Sequence, residues 1–174
     1  SMPHMNDPFF SKAVVYICEH EKNGAMGMII NKKFSNPELN KIFDKLFKVG
    51  KSFDMFINDT FFGGPVLLEK GIILHHSDYS ASSSISISES ISITSDKGAL
   101  GDLKREGEIP FKLMLGHAGW SAGQLEREIE NGDWLIQNTT PDFIFNLPPK
   151  QMWDHAAKSI GLDINSNLGT PGQA

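Results

Sequence analysis

Leu115-Gly-His-Ala-Gly-Trp-Ser-Ala-Gly-Gln-Leu-Glu-Arg-Glu-Ile129 is the stretch on which the reading of this chain turns. Before it, Phe111-Lys-Leu-Met-Leu115 is short, mostly apolar and bounded by Pro110 and Gly116, the pattern of a core strand. After it, Leu125 and Ile129 fall on one face of a helix that Asn131-Gly132 stops. Ser121 stands three residues before Gln124, the spacing of a capping box, in which each side chain reaches a backbone N–H that the helix leaves unpaired. The reading is therefore strand, glycine-rich loop, helix. His117, Gly119, Trp120 and Gln124 then form a candidate ligand-binding corner: glycines admit a ligand to the backbone, and a helix N-terminus favours a small anion.

The same stretch resembles the YqgE/AlgH family of bacterial proteins, and the resemblance extends over nearly the whole chain. It is carried by Pro3-His-Met-Asn-Asp-Pro-Phe9, Glu19-His20 with Gly24-Ala-Met-Gly27 and Asn31, Gly63-Gly-Pro-Val66, Leu74-His75, and Asn131 with Trp134-Leu135. Trp153, Ala156 and Gly161 resemble the family's closing helix. His117 stands where the family usually has tyrosine, and Gln173 where it more often has histidine. The resemblance implies a forked, partly barrel-like sheet flanked by helices, with a further strand ahead of Pro3. It implies a regulatory association but no defined reaction.

Composition narrows the classes. The 174 residues suit one domain, 1–174, and 40% hydrophobic with 21% charged residues is the balance of a globular chain. A net charge of −5 argues against a dedicated nucleic-acid binder. No apolar run is long enough to span a membrane, and no secretion signal is visible, so the expectation is a cytoplasmic protein. Cys18, the one cysteine, excludes an internal disulfide and fits a reducing compartment.

Along the chain, Ala13 to Ile17 and Met26 to Ile30 read as strands joined by a turn at Lys22-Asn-Gly24. A helix follows from Ser35 or Asn36, with Leu39, Ile42, Phe43, Leu46 and Phe47 on one face and Lys41, Lys45 and Lys48 on the other. Strands are expected at Phe53 to Asn58, Gly71 to His75, Trp134 to Gln137 and Phe143 to Asn146. Nine of the sixteen residues from Ser80 to Ser95 are serine, yet Ile85, Ile87, Ile91 and Ile93 alternate with them at a strand's period. Glu89 shares their parity, so a hairpin turning at Ser88-Glu-Ser90 keeps its charge out of the core. Helices are expected from Ser95 to Gly107 and from near Pro149, presenting Met152, Trp153, Ala156 and Ile160; residues 163–174 read as a loosely packed tail. Strands and helices without βαβ alternation place the chain in the α+β class.

Candidate chemistry is sparse. Adjacent strand residues His75 and His76 point to opposite faces, and no histidine or cysteine pair has metal-ligand spacing, so no metal site or cofactor is expected. Gly119-Trp-Ser-Ala-Gly123 satisfies G-x-S-x-G, but the helix-capping role of Ser121 is favoured over a nucleophile. Cys18 reads as an inert thiol in a strand. Gly63-Gly-Pro65 reads as a tight turn, and Asp7, Glu19 and His20 as an acid–base cluster only if the N-terminal loop folds over the strand end. Between Lys32 and Lys51 six lysines face Glu38 and Asp44, a solvated surface rather than a nucleic-acid site. No catalytic residue is assigned. The leading expectation is a non-catalytic binding or regulatory protein, acting through a protein partner or a small anionic ligand near His117, Trp120 and Gln124. A hydrolase-like enzyme with His20 or His117 as base is the alternative, and direct DNA binding through Lys41, Lys45 and Lys48 ranks last.

Overall fold

The computed structural model of the chain describes residues 1–34 and 60–162. The expected helix after Ser35, with its lysine face, the strand at Phe53 to Asn58 and the tail from Asp163 lie outside the described residues. Among the described residues, seven strands form one sheet: β1 Val15–Glu21, β2 Gly24–Ile29, β3 Thr60–Phe62, β4 Val66–His76, β5 Ile85–Ser86, β6 Ile91–Thr94 and β7 Phe111–Ser121. The described helices are α1 Lys97–Glu106 between β6 and β7, then α2 Gln124–Glu130, α3 Pro141–Phe145 and α4 Pro149–Ser159. The class is α+β, as expected.

β7 organises the sheet. One flank carries β4, antiparallel, from Phe111 opposite His75 to His117 opposite Val66. The other flank is divided. β3 runs parallel to Leu113–Leu115, and beyond it β2 pairs antiparallel with Ala118 to Ser121. The order β1-β2-β7-β4-β6-β5, with β3 branching from β7, is a forked sheet.

The crotch of the fork is built from glycine. Gly63 N–H donates to Leu115 O at 2.8 Å, and Gly63 O accepts from Ile29 N–H at 2.8 Å, so one residue ties both branches together. A Cβ on Gly63 would lie 2.2 Å from Gly116 O, one on Gly64 2.2 Å from the His117 carbonyl carbon, and one on Gly116 2.3 Å from Gly64 O. Gly116 also has φ +67°, the left-handed region where a side chain is strained. Gly63-Gly64 is thus a backbone-on-backbone crossing and not only the tight turn expected.

The main core cluster includes Met28, Ile30, Phe61, Leu74, Ile91, Ile93 and Met114, closed by Ile144 from α3 and Met152 from α4. The serine-rich hairpin forms as expected: Ile87 and Ser88 N–H both donate to Ile91 O around Ser88-Glu-Ser90. Ile91 and Ile93 are buried, whereas Ile85 stays exposed. In α1 the cap is Asp96, whose carboxylate accepts from Gly98 N–H at 2.8 Å, and Gly107 closes the helix in the left-handed conformation.

Three expectations are corrected. The glycine-rich loop at residues 116–119 is strand, because β7 runs unbroken to Ser121. Phe143 to Asn146 is not a strand; Thr140 Oγ1 accepts from Phe143 N–H and Pro141 presets the first turn, so α3 forms there. Trp134 to Gln137 is irregular, with Trp134 buried but Leu135 and Ile136 exposed. Among the described residues, no helix is long and apolar enough to cross a membrane.

Gly116→Ala should lower stability by more than about 3 kcal/mol, from backbone overlap and positive φ together. Gly101→Ala, in α1 with open space around its Cα, should instead add about 0.5–1 kcal/mol. Denaturant unfolding of the two variants checks both signs.

Candidate functional site

The corner expected at residues 117–124 exists, but its side chains do not converge as a ligand site. His117 lies in β7 opposite Val66, half-buried, with its pKa lowered by burial and then by Lys70. Trp120 is three residues further along the strand, so the two side chains point to opposite faces. Gly119 is exposed, while Trp120 is buried. α2 opens at Gly123, which offers no side-chain cap. The capping box is half made: Gln124 Oε1 accepts from Ser121 N–H at 3.0 Å and from Ser121 Oγ at 3.1 Å, so Ser121 donates to a side chain instead of receiving a helix N–H.

What organises this corner is a residue that the sequence reading passed over. Glu128 Oε2 accepts from the indole N–H groups of Trp120 and Trp134, both at 2.8 Å, and Glu128 Oε1 accepts from Gln124 Nε2 at 2.9 Å. The two indoles meet edge to face at 5.9 Å, and Phe10 packs against both. A half-buried carboxylate accepting three donors locks the start of α2 and the residue-134 loop onto the end of β7. The only advance signal was Gln124 and Glu128 sharing a helix face at i, i+4.

The other candidates resolve separately. His20 Nε2 lies 2.6 Å from Glu126 Oε1, tying the β1–β2 hairpin to α2; this hydrogen bond is the main cause holding the Glu126 carboxyl below its ordinary pKa. Asp7 accepts from Phe9 and Phe10 N–H at 2.8 and 2.9 Å and so closes a turn, instead of joining Glu19 and His20. His75 is fully buried between His76 O and Ser84 Oγ, while His76 pairs with Asp78. Burial pushes the Cys18 thiol up to about 12, leaving it protonated at neutral pH. Among the described residues, no group of three or more histidine, cysteine or carboxylate side chains is placed to hold a metal.

A groove of about 330 Å³ with room for a ligand lies beside β1, walled by Tyr16, Trp120, Leu125, Trp134, Phe143 and Trp153. Of the residues first singled out, Trp120 lines it; His117, Gly119 and Gln124 do not. Among the described residues, β1 is the end strand of the sheet. Ile30 N–H donates to Val14 O, so the antiparallel alternation turns the backbone groups of Val15 and Ile17 outward, into the groove. The facing wall, residues 135–139, makes no backbone hydrogen bond within the described structure. At one end the backbone of Ser1 and Met2 bridges the two walls: Ser1 N donates to Ala13 O at 2.8 Å and Met2 N–H to Asp133 O at 2.9 Å. Ile17, Leu135, Ile136 and Ile160 are exposed apolar side chains that rim or line it.

A forked α+β sheet with a glycine crossing at its branch and a tryptophan–carboxylate corner at the end of its shared strand defines the structural class. The family described as AlgH-like matches residues 1–165, and the chain belongs to that family. It is 40% identical to a UPF0301 protein of Proteus mirabilis, with all of this chain and 95% of that one aligned. It is 38% identical to the UPF0301 protein YqgE of Salmonella paratyphi A, with the same coverage. Among solved structures, it superimposes on the solution structure of the AlgH protein from Pseudomonas aeruginosa with TM-score 0.70 and 32% identity, covering 99% of this chain and 92% of that one.

Glu128→Leu leaves two buried indole N–H groups without an acceptor, each worth about 1–3 kcal/mol, and should lower stability by about 2–4 kcal/mol. Glu128→Gln keeps a carbonyl acceptor and should lose less than half of that. Thermal unfolding monitored by tryptophan fluorescence checks the order.

Proposed function

We propose that this protein is a non-catalytic binding protein of the cytoplasm that acts through a protein partner, and that the groove beside β1 receives an extended, apolar segment of that partner. The observation that carries this reading is that an outward-facing strand edge and a loop without backbone hydrogen bonds among the described residues face each other across one apolar groove. A strand lying between β1 and residues 135–139 would satisfy the outward groups of Val15 and Ile17 on one side and those of the loop on the other. It would also cover Ile17, Leu135 and Ile136. A compact apolar molecule fills volume but leaves those N–H and C=O groups unmatched, so an extended peptide fits better.

Chemical work by the same corner has less support. The hydroxyl of Ser121 is bonded to Gln124, and the ring of His20 to Glu126, so neither forms a nucleophile–base pair with the other.

Calorimetric titration with a short peptide alternating valine and threonine tests the proposal. Saturable binding is expected, weakened at least about tenfold by Ile136→Asp. Because Ile136 is 73% exposed, that variant should keep its unfolding midpoint. A strand of the kind implied ahead of Pro3 would reach the same groove from Ser1, so a chain lengthened by one strand ahead of Ser1 is titrated in parallel. Binding to both chains supports a partner in trans. Binding that the longer chain loses would assign the groove to the chain's own backbone and overturn the partner reading.

A further inference from the structure

A second cavity, of about 300 Å³, lies where α1, the start of β7 and the α3–α4 turn meet, and its chemistry is different. Lys33, Lys104 and Lys112 line it together with Phe61, Phe111, Phe145 and Leu147. Lys112 is 5% exposed. Its Nζ donates to Ile30 O at 3.0 Å, lies 4.0 Å from Met152 Sδ, and sits 4.5 Å above the centre of the Phe61 ring. Lys33 Nζ is 5.5 Å from the same ring centre. Neither ammonium has a carboxylate partner among the described residues.

Two cations over one aromatic ring, one of them buried, leave positive charge with no carboxylate partner for Lys112 or Lys33 among the described residues. The ring attracts each ammonium by its quadrupole but does nothing for their mutual repulsion. Burial, and then the charge of Lys33, lower the pKa of Lys112 to about 7. Apart from Lys104 and Asn146, whose amide donates to Asp142 at 2.8 Å, the remaining walls are aromatic and aliphatic, so they suit a ligand whose anionic end is attached to an apolar body.

We infer that this cavity binds a small amphipathic anion, its charged oxygens held between Lys112 and Lys33 and its apolar body against Phe61, Phe111 and Phe145. The site is separate from the groove beside β1 and does not rest on that reading. Lys33, on the segment before β3, and Lys104 of α1 are the other charged side chains lining the cavity, while β7 contributes Lys112 itself and the α3–α4 turn contributes none. A bound anion favours the ammonium form of Lys112, so binding above about pH 7 draws a proton from solution. Affinity is therefore flat below that pH and falls above it.

Phenyl sulfate is the probe, because its own charge does not change between pH 6 and pH 9. Titration calorimetry of the full chain in buffers of different ionisation enthalpy should show saturable binding, and proton uptake that grows above about pH 7. Over the same range affinity should fall by up to about tenfold per pH unit. Lys112→Met keeps the buried volume without the charge; it should fold, bind at least about tenfold more weakly, and lose the pH slope. Lys33→Met should weaken binding but keep the slope. The inference is overturned if the unaltered protein shows no saturable binding, or binds without proton uptake above pH 7. It is equally overturned if folded Lys112→Met binds as tightly as the parent. The proton-uptake measurement needs no variant, so the inference stays testable even if Lys112→Met does not fold.

Discussion

The structure depends on one backbone crossing. Gly63-Gly64 lies against Gly116-His117 so closely that a Cβ on Gly63, Gly64 or Gly116 would meet main-chain atoms at 2.2–2.3 Å. At that point β7 exchanges one partner for another on its divided flank, β3 before it and β2 after it. The Gly63 amide pairs with Leu115 of the shared strand and its carbonyl with Ile29 of β2, so both peptide groups of that residue are matched at the crossing. A forked sheet needs such a pivot, since two strands cannot share one flank of a third at one level.

The pivot also separates the two places where a ligand finds room. On the β2 branch, the shared strand ends in the Trp120–Glu128–Trp134 corner, and among the described residues no strand pairs with the outer side of β1 beside an apolar groove. On the β3 branch, Lys112 at the start of β7 is buried over Phe61 among aromatic walls. The first site has outward-facing backbone and apolar surface, the basis for the extended chain proposed there. The second holds two ammonium groups without a carboxylate partner among the described residues, the basis for the anion proposed there. The Trp–Glu corner belongs to neither as a recognition element: its polar groups are matched within the protein, and it holds α2 and the loop that forms the groove's far wall.

Much of the fold was legible in the residues. The serine-rich hairpin was readable because Glu89 shared the isoleucine parity, and only a turn there spares the core a charge. The reading of residues 116–119 as a loop failed for an identifiable reason. Glycine in an apolar run signals either a break or a close backbone approach, and the partner that decides between them, Gly63-Gly64, lies far away in the chain. Phe143 to Asn146 reads as a strand from its short apolar pattern alone, whereas Thr140-Pro141 just ahead of it starts a helix. His117, Gly119, Trp120 and Gln124 were grouped by proximity in sequence, but strand geometry turns His117 away from Trp120 and leaves only Trp120 on the groove. Lys112 went unremarked because one lysine in a strand looks like its solvent face, and nothing local says that Phe61 and Met152 will cover it.

The claim that bears most weight is that β1 presents an open, strand-accepting edge to the groove. Residue-resolved amide hydrogen exchange measures it directly. In the chain alone, the amides of Val15 and Ile17 should exchange far faster than that of Tyr16, which faces β2, and the alternating peptide should slow both while leaving Tyr16 unchanged. Protection of Val15 and Ile17 as strong as that of Met114, in the middle of the sheet, without any added peptide would contradict the account.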